Sequence, residues 1–341
     1  MPTRTVADLG ERALIERITS RLPGRPWIVV GPGDDAAVVQ TERGTHEVLT
    51  TDVQVEGVHF DRRFVSPEAI GFRALAVNLS DLAAMGASPR AALLSLVLPD
   101  ALAVDVVDGL LDGMLALADR CRVALVGGNI ARSPGPLIVD VTATGSVRPR
   151  RVLTRTGARP GDSVYVTGTI GDALVGLRVL QEGSEASSHD PLNGRQEFAR
   201  QKERYLRPEP RVRAGLLLAR NRAASACMDL SDGLADGLRQ IAHASHVGIA
   251  VDADALPISD TVRRWHTDRG ADAVVATLDG GDDYELLFTV RPSHRGRLRG
   301  VRYSLADLPM TRIGVVTGDE RLVVRTAAAD RELPSGYEHF R

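Results

Sequence analysis

Aspartates beside apolar runs are the residues of this 341-residue sequence best suited to chemistry. They stand in the segments Gly33-Asp34-Asp35, Thr50-Thr51-Asp52, Asn78-Leu79-Ser80-Asp81, Asp229-Leu230-Ser231-Asp232-Gly233 and Gly280-Gly281-Asp282-Asp283. A carboxylate that is buried must be paired with a basic side chain or must bind a metal ion. The sequence contains one lysine, Lys202. Hard divalent cations are therefore serious candidates for balancing these acids.

Asp81 lies in the most apolar of these segments. Between residues 74 and 87 the only polar residues are Asn78, Ser80 and Asp81. A helix that is apolar nearly all round is normally buried, so we expect a buried Asp81. Its partner is then either a metal ion or an arginine, and Arg73 and Arg90 are the nearby candidates for an ion pair.

The other acidic segments have both a chemical and a structural interpretation. Thr50, Thr51 and Asp52 follow a predicted strand and form an oxygen ligand set that suits magnesium, although a strand end or a helix cap explains them equally. Asp229 also ends a predicted strand. Ser231 fits a helix N-cap and Asp232 fits the first helical turn, which is in addition a common phosphate site. Gly33-Asp34-Asp35 has the composition of an ordinary turn.

Two further features are weaker. Val126-Gly127-Gly128-Asn129 follows a predicted strand, and glycines there suit the close passage of a nucleotide. His59 stands between Val58 and Phe60, where a histidine is either packed, exposed or functional.

Several chemistries are disfavoured by what the sequence lacks. It contains no GxxxxGK[ST], GxSxG or HExxH string and no Cys/His cluster with metal spacing. The net charge of −2 gives no reason to expect nucleic acid or a membrane as a partner. No apolar run reaches the roughly 18 residues of a membrane span. Cys121 and Cys227 stand far apart, which fits a reducing, cytoplasmic location.

The acids as a set predict several Mg²⁺ ions bridged by phosphates.

The positioning elements are predicted from alternating strand and helix patterns. An amphipathic helix is expected from Val6 to Leu22 and a helix from Pro67 towards Gly86. Further helices are predicted at Val104–Arg120, Ile170–Gln181, Arg211–Arg220 and Asp232–Ser245. Strands are predicted at Trp27–Val30, Ala36–Val39, Glu47–Thr50, Ala91–Leu98, Val123–Val126, Leu137–Val147, Ser163–Thr167, Ala224–Met228, Tyr284–Val290, Arg312–Val316 and Leu322–Arg325. Gly183–Gly194 is expected to be a surface loop. This pattern predicts an α/β chain with domains at 1–148 and 149–341.

At these residues the chain resembles the thiamine-monophosphate kinases, a family related to aminoimidazole-ribonucleotide synthetase. The resemblance covers nearly the whole chain. Its most specific part is the helix string from Ala76 to Gly86. It also includes Gly33-Asp34-Asp35-Ala36-Ala37, Leu153-Thr154-Arg155, Arg207-Pro208-Glu209-Pro210-Arg211, Asp283-Tyr284-Glu285-Leu286 and Gly336-Tyr337-Glu338-His339-Phe340.

This resemblance implies an α/β fold of the α+β type, with two domains, mixed sheets and flanking helices. It implies ATP-dependent phosphorylation of thiamine monophosphate and a homodimer paired through the N-terminal domains. The N-terminal domain would bind ATP and Mg²⁺, and the C-terminal domain would complete the active site. The implied magnesium ligands are Asp35, Thr50, Thr51, Asp52, Asp81, Asn129, Asp229 and Asp232. The implied nucleotide contacts are Gly128, Asn129, Arg155 and Ser231, and the implied substrate contacts are His59, Asp282 and Tyr337.

Two departures from the family pattern leave alternatives open. The family usually has Asp at the position of Asn129 and Glu at the position of Asp282. A nucleotide-binding relative that has lost catalysis is one alternative, and another ATP-using member of the superfamily is the other. A selenophosphate synthetase would carry a reactive Cys or Sec near its N-terminus, and a hydrogenase-maturation relative would end in cysteine. This chain has neither feature.

Overall fold

Helices and strands alternate along the chain in a computed structural model that describes residues 4–32, 36–185 and 196–334. Two compact units are present. One comprises Met1–Leu82 and Ser88–Pro149, and the other comprises Ala83–Ala87 and Arg150–Arg341. Across the described ranges, every helix is too short or too polar to cross a lipid bilayer.

The first unit is built around a four-stranded sheet. Its elements are α1 (Val6–Leu9), α2 (Glu11–Thr19), β1 (Ile28–Val30), β2 (Val38–Val39), β3 (His46–Val55), α3 (Pro67–Ala84), β4 (Ser88–Pro99), α4 (Val104–Cys121), β5 (Ala124–Ser133) and β6 (Ile138–Val147). The sheet order is β3-β6-β4-β5, and β1 pairs with β2 separately. Only β4 and β5 run parallel within the four-stranded sheet.

The single helix expected from Val6 to Leu22 was wrong. Gly10, whose φ of 81° is left-handed, separates α1 from α2, and α2 ends at Thr19.

The two faces of this sheet differ sharply. The inner face carries Val139, Val141 and Ala143, which are fully buried. The outer face carries Leu49, Val53 and Leu93, which are exposed. Because side chains alternate along a strand, β3 and its neighbours direct one set of residues into the core and the other set outward.

Two long helices of this unit, α3 and α4, cross at very short range. A Cβ placed on Gly71 would lie 1.8 Å from the carbonyl oxygen of Leu110, and one on Gly113 would lie 1.8 Å from that of Glu68. These glycines therefore let the two backbones touch, which no larger residue permits. Residues 69–80 of α3 are buried throughout, so the helix that carries Asp81 is held along most of its length.

The second unit is built around a seven-stranded sheet. Its elements are β7 (Ser163–Thr167), α5 (Asp172–Glu185), α6 (Ala199–Leu206), α7 (Val212–Asn221), β8 (Ala226–Asp229), α8 (Leu234–Ser245), β9 (Gly248–Asp252), α9 (Asp260–Thr267), α10 (Ala273–Asp279), β10 (Leu286–Val290), α11 (Arg295–Ser304), β11 (Met310–Thr317), β12 (Leu322–Arg325) and β13 (Asp330–Glu332). The strand order is β13-β12-β9-β11-β7-β10-β8. Only the β9–β12 pair is parallel.

This sheet has a core on each face. Alternate residues of β7 enter different clusters, with Val164 and Val166 in one and Tyr165 in the other. Tyr165 stacks on Phe288 of β10 with ring centroids 5.5 Å apart. A sheet covered on both faces explains why every residue of β7 and β10 is buried. The mixed sheets with flanking helices match the expected fold class.

Several boundaries differ from the sequence prediction. α5 continues to Glu185, so the start of the expected 183–194 loop is helical, and the rest lies outside the described residues. Sequence patterns also gave no prediction for α6, β9, α9, α10, α11 and β13. The helices among them are 7 to 10 residues long, and such short segments carry a weak periodic signal.

Replacing Gly168 with alanine tests how tightly the residue that follows β7 packs against the side chain of Glu285. Gly168 has a φ of 60°, and a Cβ there would lie 2.1 Å from Oε1 of Glu285. Gly161 is a matched control, because its φ is 90° and nothing lies within 4 Å of its Cβ position. We expect Gly161→Ala to cost about 1 kcal/mol from backbone strain. Gly168→Ala should cost about 1–3 kcal/mol more from overpacking. Equal shifts in the urea-unfolding midpoints would contradict this packing.

Candidate functional site

Thr50, Thr51 and Asp52 lie inside β3 rather than at its end, so the prediction of a strand end was wrong. The strand continues to Val55 because β6 pairs with it along its whole length. Thr50 and Asp52 are half-buried, whereas Thr51 between them is exposed on the outer face. The two hydroxyls therefore point to opposite sides of the sheet.

Thr50 is joined to Asp81 by a hydrogen bond. Its Oγ1 donates to Oδ2 of Asp81 on α3. Asp81 is half-buried, although Ser80 and Leu82 beside it are fully buried. The expectation of a buried Asp81 was therefore wrong, because the carboxylate leaves the core where α3 faces β3. Thr50 and Asp52 on the inner face and Asp81 on α3 offer one hydroxyl and two partly exposed carboxylates as oxygen donors.

Thr51 instead takes part in the outer surface of the sheet. Its Oγ1 lies 3.2 Å from Oδ1 of Asp140 and 3.1 Å from Oγ1 of Thr142 on β6. The same hydroxyl donates to the carbonyl oxygen of Val141 at 3.3 Å. These contacts satisfy the hydrogen bonding of the Thr51 hydroxyl within the sheet, so they explain the side chain without a bound ligand.

Gly128 and Asn129 lie within β5, not after a strand as the sequence suggested. They pair with Leu94 and Ser95 of β4. A Cβ on Gly128 would lie 2.0 Å from the carbonyl oxygen of Leu94, so strand packing already requires glycine there. Asn129 is exposed on this edge strand.

His59 is held in the turn that follows β3. The backbone N–H of Val55 donates to its Nδ1 at 3.1 Å, and the N–H of His59 donates to the carbonyl oxygen of Val55 at 2.9 Å. An Nδ1 that accepts a hydrogen bond carries no proton, so a neutral ring has its proton on Nε2. These two hydrogen bonds hold the half-buried ring in one orientation.

Ser231 and Asp232 do not cap α8, so that structural explanation was wrong. The N-cap residue is Gly233, with a φ of 101° and no side-chain cap. Glycine at this position lets the chain turn, and it displaces Ser231 and Asp232 into the preceding loop. Ser231 donates to its neighbour, with its Oγ 3.2 Å from Oδ2 of Asp232. Asp229 does end β8, and it is 5% exposed.

Two backbone hydrogen bonds join the loop that carries Asp282 to the loop that carries Ser231. The N–H of Asp282 donates to the carbonyl oxygen of Ser231 at 2.7 Å, and that of Tyr284 donates to the carbonyl oxygen of Leu230 at 2.8 Å. A Cβ on Gly281 would lie 2.5 Å from the Ser231 oxygen, so glycine permits this approach. Ser231, Asp232 and Asp282 therefore stand on two adjoining loops of the second unit, and the first of these loops follows Asp229 at the end of β8.

Asp283, next to Asp282, is a functional candidate to which the sequence pattern gave no role. It is 2% exposed, and its Oδ2 accepts a hydrogen bond from the N–H of Gly171 at 2.8 Å. Burial raises the pKa of its carboxyl to about 8, and the nearby acids Glu285 and Asp172 add to that rise. The Gly171 hydrogen bond and Arg204 oppose it. The sequence signal was its position in an acidic run before an apolar strand.

Arg155 is positioned by α8. Its guanidinium donates to Oε1 of Gln240, whose amide donates to Asp236. Its carbonyl oxygen accepts a hydrogen bond from Ser245 at 3.1 Å. The exposed guanidinium is thus held at both the side chain and the backbone, which suits contact with an anion.

The predicted ligands Asp35 and Tyr337 lie outside the described residues. Among residues 4–32, 36–185 and 196–334, no three His, Cys, Asp or Glu side chains form a group that could hold a metal ion. Magnesium is commonly held by only one or two carboxylates together with substrate phosphates. The donors available here are carboxylate, hydroxyl and amide oxygens, and their chemistry fits magnesium.

Two family models match the chain. The model described as AIR synthase related protein, N-terminal domain, matches residues 33–147, and its C-terminal counterpart matches residues 159–327. The thiamine-monophosphate kinase of Salmonella typhimurium is 40% identical over 340 residues, covering 97% of this chain and 98% of the relative.

Solved structures are similar over comparable lengths. The thiamine-monophosphate kinase of Stenotrophomonas maltophilia K279a superposes with a TM-score of 0.80 at 42% identity, covering 93% of this chain and 96% of that one. AaThiL complexed with AMPPCP and TMP has a TM-score of 0.76 at 34% identity, and all of both chains is covered.

The raised pKa of Asp283 predicts a pH-dependent stability. The folded protein keeps a proton, up to a pH of about 8, that the unfolded chain releases near 3.8. Stability should therefore fall as pH rises between these values, by at most about 1.4 kcal/mol per pH unit, and level off above about 8.

Asn cannot titrate, so Asp283→Asn should lack this part of the slope. The groups facing the carboxyl, Arg204, Glu285 and Asp172, are unchanged in the variant. The measurement is urea unfolding of both proteins from pH 5.5 to 9. Parallel stability curves would contradict the buried, protonated state.

Proposed function

The chain belongs to the thiamine-monophosphate kinase family, within the AIR synthase related proteins, and we propose that it phosphorylates thiamine monophosphate with ATP. The product is thiamine diphosphate. The observation that carries this proposal is similarity to such kinases along the full length of both chains. AaThiL, to which this chain is similar throughout, has been solved with AMPPCP and TMP, which are an ATP analogue and the corresponding acceptor.

The loop pair of the second unit supports this assignment. Asp229, Ser231 and Asp232 are proposed to face the metal-bound phosphates, and Asp282 to contact thiamine monophosphate. The backbone hydrogen bonds that join the two loops support this proposal, because transfer between two bound phosphates requires their ligands to be close together. Arg155, which is held by Gln240, is proposed to contact ATP.

Residues of the first unit supply the other proposed contacts. Thr50, Asp52 and Asp81 are proposed to hold magnesium from the inner face of the sheet, and the outward Thr51 side chain favours a contact through its backbone. Gly128 and Asn129 are proposed to contact the nucleotide, with Asn129 as an oxygen ligand. His59, whose ring is held by the Val55 N–H at Nδ1, is proposed to contact the substrate. Asp35 and Tyr337 remain predictions from the family resemblance.

The proposed reaction is a direct in-line transfer. A terminal phosphate oxygen of thiamine monophosphate attacks the γ-phosphorus of ATP. The bond from that phosphorus to the β–γ bridging oxygen breaks, and its electron pair leaves on ADP. The attacking oxygen is already anionic near neutral pH, so no general base is needed. The chief task of the protein is to align two anions that repel each other. Magnesium, when bound, would neutralise the phosphate charge, and Arg155 adds a fixed positive charge.

Asn129 and Asp282 are the two positions at which this chain departs from the family pattern. Asn129 keeps a carbonyl oxygen as a ligand but lacks a charge. Asp282 keeps the charge on a side chain one methylene shorter than Glu. Its left-handed φ of 69° determines where this shorter side chain reaches.

The decisive assay incubates the purified protein with ATP, Mg²⁺ and thiamine monophosphate and follows thiamine diphosphate by chromatography. Free thiamine is run in parallel as the competing acceptor. Formation of the diphosphate only from thiamine monophosphate supports the proposal. Nucleotide binding without product would instead support a relative that has lost catalysis.

Asp52→Asn should lower the turnover number by about 100-fold or more, because it removes a charge from the proposed magnesium ligands. Asp105→Asn is the control, since Asp105 is an exposed acid at the start of α4 in the same unit. Both variants should unfold at nearly the wild-type temperature. Near-normal turnover by Asp52→Asn would eliminate this assignment.

The outer face of the four-stranded sheet supports a homodimer as a further part of the proposal. Leu49 is 69% exposed, and Val53 and Leu93 share the same face. An uncovered apolar sheet face is characteristic of an interaction surface, and a twofold dimer would cover it with its own copy.

The described cysteines, Cys121 and Cys227, are free thiols, which supports the proposed cytoplasmic location.

Substitution on this face should dissociate the dimer. We expect the wild type to have twice the chain mass of 36.5 kDa by light scattering. Leu49→Glu and Leu93→Glu should each raise the dimer dissociation constant at least about tenfold, because a charge enters an apolar interface. Tyr303→Glu is the control, since Tyr303 is exposed in the second unit. A monomeric wild type, or dimeric variants at the lowest concentrations, would contradict the proposal.

A further inference from the structure

A buried ion cluster in the second unit lies next to the Asp282 loop. Glu285 is 0% exposed, and its carboxylate accepts from Oγ1 of Thr167 at 2.6 Å and from Nε of Arg211 at 2.7 Å. Nη2 of Arg204 also donates to it at 2.6 Å. Two guanidinium groups and a hydroxyl thus satisfy one acid, as burial requires.

The two arginines differ in what else they contact. Nη2 of Arg204 also donates to the carbonyl oxygen of Asp283 at 2.9 Å. Within the part of the chain that the structure describes, the guanidinium of Arg211 donates only to Glu285. Arg204 therefore joins the ion cluster to the backbone of the loop, whereas Arg211 serves the cluster alone.

This backbone contact falls in a strained segment. Asp282 and Tyr284 have φ values of 69° and 49°, a left-handed conformation that non-glycine residues rarely adopt. Such residues persist only where their surroundings determine the conformation. Asp283, between them, is fixed at its carboxylate by Gly171 and at its carbonyl oxygen by Arg204.

We propose that Arg204 is a positioning residue for the phosphate acceptor, because it holds the Asp283 carbonyl and thereby the left-handed Asp282 beside Ser231. The proposal rests on the proposed function, in which Asp282 contacts thiamine monophosphate. Without the Arg204 contact, the loop relaxes from its left-handed conformation, and the Asp282 carboxylate loses its fixed direction. In this role Arg204 acts through the loop that carries Asp282, so its loss should lower the affinity for the acceptor.

The test compares Arg204→Met with Arg211→Met. Each removes one cation from Glu285 and leaves the other, so both should lower the melting temperature. Arg204→Met should raise the KM for thiamine monophosphate about tenfold, as expected for the loss of one fixed hydrogen-bonded contact, and should raise it more than the KM for ATP. Arg211→Met should leave both KM values within about twofold of the wild type. Arg204→Lys and Arg211→Lys, which keep the charge, form a milder pair if the methionine variants fail to fold.

Hydrogen exchange supplies a readout that does not depend on the reaction. The amides of Asp282 and Tyr284 should exchange faster in the Arg204 variant than in the Arg211 variant. Equal exchange at these amides, or equal KM changes in the two variants, would overturn the positioning role. A wild type that forms no thiamine diphosphate would overturn the proposed function, while the exchange comparison would still decide whether Arg204 holds the loop.

Discussion

The second unit depends on keeping one acid, Glu285, charged and away from water. The desolvation of a buried carboxylate is offset here by two arginines and a threonine hydroxyl. Thr167 ends β7, Arg204 lies on α6 and Arg211 immediately precedes α7, so three separate elements meet at a single side chain. Because Glu285 follows the Asp282 loop directly, the same cluster holds the end of that loop.

Most of the candidate ligand acids are placed differently from this structural acid. Asp52, Asp81, Asp232 and Asp282 are partly exposed, whereas Glu285 and Asp283 are buried, and Asp229 is the candidate ligand that is buried as well. Magnesium usually keeps several waters and binds through few carboxylates, so partly exposed acids suit it better than a closed cage. The chain thus uses arginine for the acid that holds the fold. Four of the acids proposed to bind magnesium or substrate are instead partly exposed.

Sequence reasoning found the acidic segments and most of the strands and long helices because both have strong local signals. It erred where partners distant in the sequence decide the outcome. β6 extends β3 past Thr50 and directs Thr51 outward, and β4 requires glycine at position 128. Gly233, rather than Ser231, is the N-cap residue of α8. The pairing of Glu285 with Arg204 links residues 81 positions apart, which no periodicity reveals.

The central claim is that the acids of this chain act through metal-bound phosphates, with no protein group needed to remove a proton. Calorimetric titration of the non-hydrolysable analogue AMPPCP, with Mg²⁺ and then with EDTA, tests it most directly. The account predicts saturable binding with Mg²⁺ and a loss of affinity of at least about 100-fold in EDTA, because the carboxylates then repel the uncompensated phosphates. Equal affinity in the two titrations would contradict it.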